Sequence, residues 1–248
     1  MNPFLEACIK ANEEISLALK NGFDTSWFEK TEVGAGGDVS SKLDLMAEEI
    51  FVKYLSKFGQ IESEESGSIM NGSLGQSSHK IIIDPIDGSS NALSLFPYYG
   101  TSVAKVNDKG ILDAAIVCNL ANGDIFFKML DSELQQGKLF STNYHFPQSV
   151  LHPEIGLFEK AYEHGILIQK MGEEGFKFRG PGAIALSLAY AHSVKFVLFM
   201  GQFRIYDFAA GLALCEGLEV IVEEDYVIVS KEKKVAKKIE ELIKTINN

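Results

Sequence analysis

The chain has 248 residues, 46% of them hydrophobic, and is long enough to bury a core without disulfide or metal staples. Its 34 acids outnumber 23 Lys and Arg, for a formal net charge of −11. No Lys/Arg-rich stripe precedes the stretch from Lys231 to Lys238, which excludes nucleic-acid polymers and anionic membranes as main partners because both are bound through clustered cations.

In chain order, Phe4, Leu5, Cys8, Ile9, Ala11, Ile15 and Leu19 recur at spacings of three and four and predict an amphipathic helix over residues 3–20. Cys8, Cys118 and Cys215 are odd in number, far apart and without a C-x-x-C pair, so they build neither a disulfide framework nor a zinc site. The N-terminus lacks the pattern of a secretion signal, and no stretch reaches the roughly 18 apolar residues of a membrane span; a cytoplasmic protein is expected.

Residues 32–44 carry Gly34, Gly36, Gly37 and a polar cluster, which predicts a flexible loop or hairpin. A second helix follows, with Leu45, Ile50, Tyr54, Leu55 and Phe58 as its inner stripe and Glu48 and Glu49 in its body. Between Gly59 and Lys80 only Ile61, Ile69, Met70 and Leu74 are apolar, so this part reads as loop and short strand. The β-branched run 80–83 predicts a buried strand stopped by Asp84-Pro85. Runs 100–106, 111–119 and 124–128, separated by turn residues, predict an antiparallel meander.

Residues 154–164 show weak helical periodicity. The break at Arg179-Gly180-Pro181-Gly182 precedes a buried helix at 183–191 and a strand at 194–200. A helix is expected from an N-cap at Asp207 to Gly217, then a hairpin at 218–230 and a basic terminal helix with Val235, Ile239, Leu242, Ile243 and Ile246 on one face. Helices and mostly antiparallel strands in blocks imply layered α+β packing.

The segment Ile83-Asp84-Pro85-Ile86-Asp87-Gly88-Ser89 is the most informative. Two carboxylates three residues apart follow a strand, and Pro85 fixes φ between them, a geometry suited to a hard cation. Gly88 permits an unusual φ, and the N–H groups of Gly88 and Ser89 can donate to phosphate oxygens. An anion-binding turn bracketed by acids needs divalent ions to reverse the local sign, and Mg²⁺ is the natural choice; a turn with two Asx caps is the alternative. Asp38 to Asp44 and Ser63-Glu64-Glu65-Ser66 are acid-rich turns that, taken alone, read as solvated surface loops. Asp207 within Tyr206-Asp207-Phe208-Ala209-Ala210-Gly211 is either an N-cap or a ligand.

Taken in order, these four segments resemble the inositol monophosphatase and fructose-1,6-bisphosphatase superfamily of Mg²⁺-dependent, lithium-sensitive phosphatases. The residues Gly34-Ala35-Gly36-Gly37, Asn91-Ala92-Leu93 and Arg204-Ile205-Tyr206-Asp207 look closest to the archaeal-type members active on both fructose 1,6-bisphosphate and inositol phosphates. The resemblance implies an α-β-α-β-α sandwich of the sugar phosphatase type. It also implies one unit over 1–248, with possible sub-domains at about 1–145 for metal and 146–248 for substrate, and a homodimer.

By the same resemblance, Glu64, Asp84 and the carbonyl of Ile86 hold a first metal, and Asp84, Asp87 and Asp207 a second. A weaker third ion lies near Glu64 and Asp44. Asp44 and Ser89 resemble the pair that positions and deprotonates the attacking water, with Glu65 contributing through a water. Asp87, Gly88, Ser89, Arg179, Ala183, Arg204 and Asp207 face the substrate. The implied reaction is in-line attack of activated water on phosphorus, without a covalent enzyme intermediate.

The chain departs from the family pattern at Ser63, where Gly is usual, at Ala183, where a hydroxyl is common, and at Met200, where inositol-selective members carry Glu. Arg179 and Arg204 are placed to reach a second phosphate or to be plain surface and C-cap arginines. The rival readings are a 3′(2′),5′-bisphosphate nucleotidase and a catalytically silent relative that binds metal or a partner. His79, His145, His152, His164 and His192 occur singly and are not expected as ligands. Packing is the expected role of Phe96-Pro97-Tyr98-Tyr99, and a solvated face that of the terminal lysines.

Overall fold

The computed structural model describes residues 2–22, 24–37, 39–69 and 79–246; the expectations for Asp38, Met70 and Leu74 fall outside them. Helix α1, Pro3–Lys20, begins where the Asn2 side chain accepts from the N–H of Phe4 at 2.8 Å, with Pro3 in the first turn. It buries Phe4, Leu5, Cys8, Ala11, Ile15 and Leu19, as its spacing predicts.

Strands β1, Lys30–Val33, and β2, Val39–Ser41, form an antiparallel hairpin that leads into α2, Lys42–Leu55. The inner stripe of α2 differs from expectation: Leu43, Ala47, Phe51 and Leu55 are buried with Glu48, while Leu45, Ile50, Tyr54 and Phe58 are half-buried. The capping box at Ser41 sets where the helix starts and hence its phase. Glu48 can turn inward because the N–H and hydroxyl of Ser66 donate to its carboxylate at 3.0 and 2.5 Å.

A seven-stranded sheet is built from β3, Gln60–Ser63, β4, Gly67–Ile69, β5, Lys80–Asp87, β6, Gly100–Val106, β7, Leu112–Asn119, β8, Asp124–Met129, and β9, Gln135–Lys138. Its order is β4-β3-β5-β6-β7-β8-β9, with β3 and β5 parallel and the meander antiparallel as expected. Strand β5 does not stop at Asp84-Pro85. It runs on to Asp87 through a register shift between Asp84 and Asp87 opposite β6, which accommodates a proline that has no N–H to give the ladder.

The second sheet collects β10, Ile155–Glu159, β11, Lys177–Arg179, β12, Val197–Met200, β13, Glu219–Val222, and β14, Tyr226–Ser230, in the order β11-β10-β12-β14-β13. Residues 155–159 are therefore strand rather than helix. Leu157 and Phe158 pack on opposite faces of the sheet and residues 156–159 are all buried, so burial from both sides outweighs the local helical pattern. Both pairings of β10 are parallel, so this sheet is mixed and not mostly antiparallel. The crossover to β11 supplies α4, Gly165–Glu173, which sequence periodicity does not predict.

Helices α5, Ile184–Ala189, and α6, Ile205–Ala213, lie between the sheets, and α7, Lys233–Lys244, covers the outer face of the second with α4. Ile81 and Ile83 face α1 and α2, whereas Ile82 faces α5 and α6. The result is the layer order α-β-α-β-α.

Gly100 shows how tightly the site's sheet is built. A Cβ there would overlap the Cys118 carbonyl and lie 2.9 Å from Leu186 Cδ2. Gly100→Ala is expected to destabilise the chain by about 2 kcal/mol, read as a lower urea midpoint at unchanged slope.

Candidate active site

The site forms where the C-terminal ends of β3 and β5 meet the N-termini of α2 and α6. Asp84 and Asp87 sit at the end of β5, both about 3% exposed, and Asp87 Oδ2 accepts the Leu186 N–H of α5 at 2.8 Å. Gly88 follows at φ +84° and caps the short helix α3, Ser89–Leu93. A side chain at Gly88 would meet Tyr98 O, Gly182 O and Ala183 Cβ at 3.1, 3.2 and 3.0 Å, so both backbone sign and space call for glycine.

Glu64 is brought beside them because its N–H continues the β3–β5 ladder, donating to Ile83 O at 3.1 Å. Gly36 of the β1–β2 hairpin closes over it, its N–H 2.7 Å from Glu64 O. Asp44 is buried in the first turn of α2, where its Oδ2 accepts from the Ser41 N–H and hydroxyl at 2.8 and 2.6 Å. Asp207 is not the N-cap of α6. Arg204 holds that place, and Asp207 lies inside the first turn, buried and turned toward β5 and β3.

Glu64, Asp84 and Asp207 each offer a carboxylate oxygen, and these oxygens all lie within 4.8 Å of one another. The electrostatics are correspondingly strained. Burial first, then the charges of Glu64, Asp87 and Asp207, pushes the Asp84 carboxyl well above its usual range. Burial raises Asp87 as well, against the opposing Leu186 N–H, and raises Asp44 against its Ser41 hydrogen bonds. Glu65, hydrogen-bonded by the Ser40 hydroxyl, is pushed up to about 7 mainly by burial.

Arg204 meets part of this charge: Nη1 is 2.6 Å from Glu64 Oε1 and Nε is 2.8 Å from Asp207 Oδ2. One guanidinium against Glu64, Asp84, Asp87 and Asp207 leaves a net deficit of positive charge. An all-oxygen donor set with that deficit fits a hard divalent cation.

These groups line a cavity of about 470 Å³. Asp44, Glu64, Asp84, Ile86, Asp87, Gly88, Ser89, Ala183, Arg204 and Asp207 all face it, as do Ser40 and Glu65. Arg179 is not brought to it; it is exposed at the end of β11 and its Nη1 donates to Phe178 O at 2.8 Å. The five histidines are absent from the lining.

Sequence reasoning missed Glu159, Lys160, Tyr162 and Phe199, which form the wall opposite the acids. Glu159 is buried and accepts from Gly182 N at 2.8 Å and the Ser187 hydroxyl at 2.5 Å, holding the 180–183 loop against Gly88. Residues 156–159 are all buried, so no alternation marked the strand in the sequence, and a weak helical spacing masked it.

The sequence matches the inositol monophosphatase family over residues 1–223, and the chain belongs to that family of metal-dependent phosphatases. It is a phosphatase by that membership and by likeness to a fructose-1,6-bisphosphatase/inositol-1-monophosphatase of Methanothermobacter thermautotrophicus, 30% identical over 223 residues, 82% of this chain and 74% of the relative. A bifunctional NADP phosphatase/NAD kinase of Methanocaldococcus jannaschii is 25% identical over 236 residues, 79% of this chain; the match spans only 40% of that relative's length. Among solved structures, the extragenic suppressor protein suhB of Bartonella henselae shares the fold at a TM-score of 0.77 and 23% identity, over 98% of each chain. No helix among the described residues is long and apolar enough to cross a membrane.

Proposed function

We propose that this phosphatase is a Mg²⁺-dependent phosphomonoesterase of small polyol or sugar phosphates, with inositol 1-phosphate and fructose 1,6-bisphosphate as substrates. The observation that carries this reading is the convergence of Glu64, Asp84 and Asp207 beside the Gly88-Ser89 turn. Acids packed beside a turn suited to phosphate support the reading that cations sit between them.

Glu64, Asp84 and the Ile86 carbonyl would hold one ion, Asp84, Asp87 and Asp207 a second, and Glu64 with Asp44 a weaker third. Bound there, divalent ions neutralise phosphate charge, lower the pKa of water and stabilise the leaving alkoxide. The chain's own part is positioning. The Gly88 and Ser89 N–H groups donate to phosphate oxygens, while Asp44 and the Ser89 hydroxyl orient the attacking water and take its proton. The new oxygen–phosphorus bond forms as the ester bond opposite it breaks, giving inorganic phosphate and an alcohol. Ala183, Arg204 and Asp207 face the substrate's leaving group.

In this reading residues 1–145 supply most of the acids, residues 146–248 supply Asp207 and the far wall, and the two halves work as one unit. Likeness to the family supports a cytoplasmic, lithium-sensitive homodimer.

A nucleotide substrate is the second reading, favoured by the Tyr162 and Phe199 wall and by the phosphatase named for the M. jannaschii relative. Phosphate release from inositol 1-phosphate, fructose 1,6-bisphosphate, adenosine 3′,5′-bisphosphate and NADP, with Mg²⁺ and with EDTA, separates them. The expected result is Mg²⁺-dependent release from the first two. Faster release from a nucleotide selects the second reading, and no release from any substrate means a silent relative.

A further inference from the structure

We propose that Arg204 is a displaceable internal counter-ion. Its guanidinium holds the position between Glu64 and Asp207 that a cation needs, so cation binding must move it, and the competition sets the cation affinity of the site. The inference rests on the reading that these acids hold Mg²⁺.

The contacts are specific. Arg204 Nη1 lies 2.6 Å from Glu64 Oε1, while Nε and Nη2 lie 2.8 and 3.2 Å from the two oxygens of Asp207. The guanidinium thus bridges two of the three carboxylates whose oxygens converge within 4.8 Å, and it joins segments distant in the chain. Mg²⁺ draws carboxylate oxygens to about 2.0–2.1 Å and demands near-octahedral order, which a guanidinium forked across the same oxygens obstructs both by its atoms and by its like charge.

Arg204 is the N-cap of α6, the end of the helix that carries positive partial charge and disfavours a cation, and the charges of Glu64 and Asp207 offset that penalty. A route out exists as well. The Arg204 side chain is 31% exposed and lines the cavity, whereas Glu64 and Asp207 are 11% and 5% exposed. Once displaced, the guanidinium stays on the cavity wall, where it can meet an anionic group of the substrate. Metal loading and substrate recognition are coupled through one side chain.

The test is calorimetric titration of Mg²⁺ into the metal-free full chain, for wild type, Arg204→Met and Arg204→Lys, without substrate. The expected result is a dissociation constant about tenfold lower in Arg204→Met, with Arg204→Lys between the two, because a lysine keeps the charge and loses the fork. If Arg204→Met does not fold without metal, Arg204→Lys and the wild type carry the test. In the wild type the Arg204 Nε–H, protected from solvent exchange by Asp207, should lose protection as Mg²⁺ saturates.

Equal or weaker Mg²⁺ binding by both variants, or an Nε–H still protected at saturation, overturns the proposal. Absence of Mg²⁺ binding by the wild type overturns both it and the metal reading. Mg²⁺ binding that tightens in the variants while no substrate is hydrolysed supports the counter-ion and defeats only the proposed activity.

Discussion

Asp84→Asn is expected to lower Mg²⁺-dependent phosphate release by on the order of 10³-fold while the metal-free chain stays folded and melts higher at neutral pH. Both halves follow from the same environment. Asp84 is buried beside Glu64, Asp87 and Asp207, so its charge is penalised by desolvation and by three like charges. The amide is nearly isosteric and removes that charge without opening a cavity. It also removes the donor shared by both cation positions in the proposed mechanism. Phosphate-release assays and thermal melts of the EDTA-treated protein check the two halves. Near-wild-type turnover would refute the ligand role, and a large drop in melting temperature would show that the carboxylate is structural.

The second large effect is a cation stabilisation that grows with pH. Asp44, Asp84, Asp87 and Glu65 all have folded-state pKa values above their ordinary ones. Above the ordinary values of 3.8 for Asp and 4.5 for Glu, the folded chain therefore binds more protons than the unfolded chain. The stability of the metal-free protein falls as pH rises through that window, which for Glu65 extends to about 7. Protons and Mg²⁺ compete for these oxygens, so Mg²⁺ binds best once the protons have left. At a free concentration of about 100 times the dissociation constant the gain is roughly 2.7 kcal/mol. For a chain of this size that raises the melting temperature by roughly 5–10 °C at pH 8 and by much less at pH 5. A shift as large at pH 5 as at pH 8 would contradict the assignment of these acids to the cation.

Short-range features were legible before any coordinates. The spacing of Phe4 through Leu19 set α1, turn residues set the meander, and Gly88 marked the left-handed corner after Asp87. Each depends on backbone preference and side-chain period over a few residues. Phase over longer spans was less legible. The inner face of α2 turned on the Ser41 capping box, β5 passed through Pro85 by a register shift opposite β6, and residues 155–159 became strand because both neighbouring layers bury them.

Which charges meet is a matter of long-range packing. Glu64 reaches Asp84 through the parallel β3–β5 pairing, and Asp207 reaches both because α6 is wedged between two sheets. Arg204 and Arg179 look alike as single arginines next to a turn, yet one is paired with two buried carboxylates and the other stands in solvent. That difference comes from strand register and helix packing between segments remote in the chain. No local propensity encodes the distance between two such side chains.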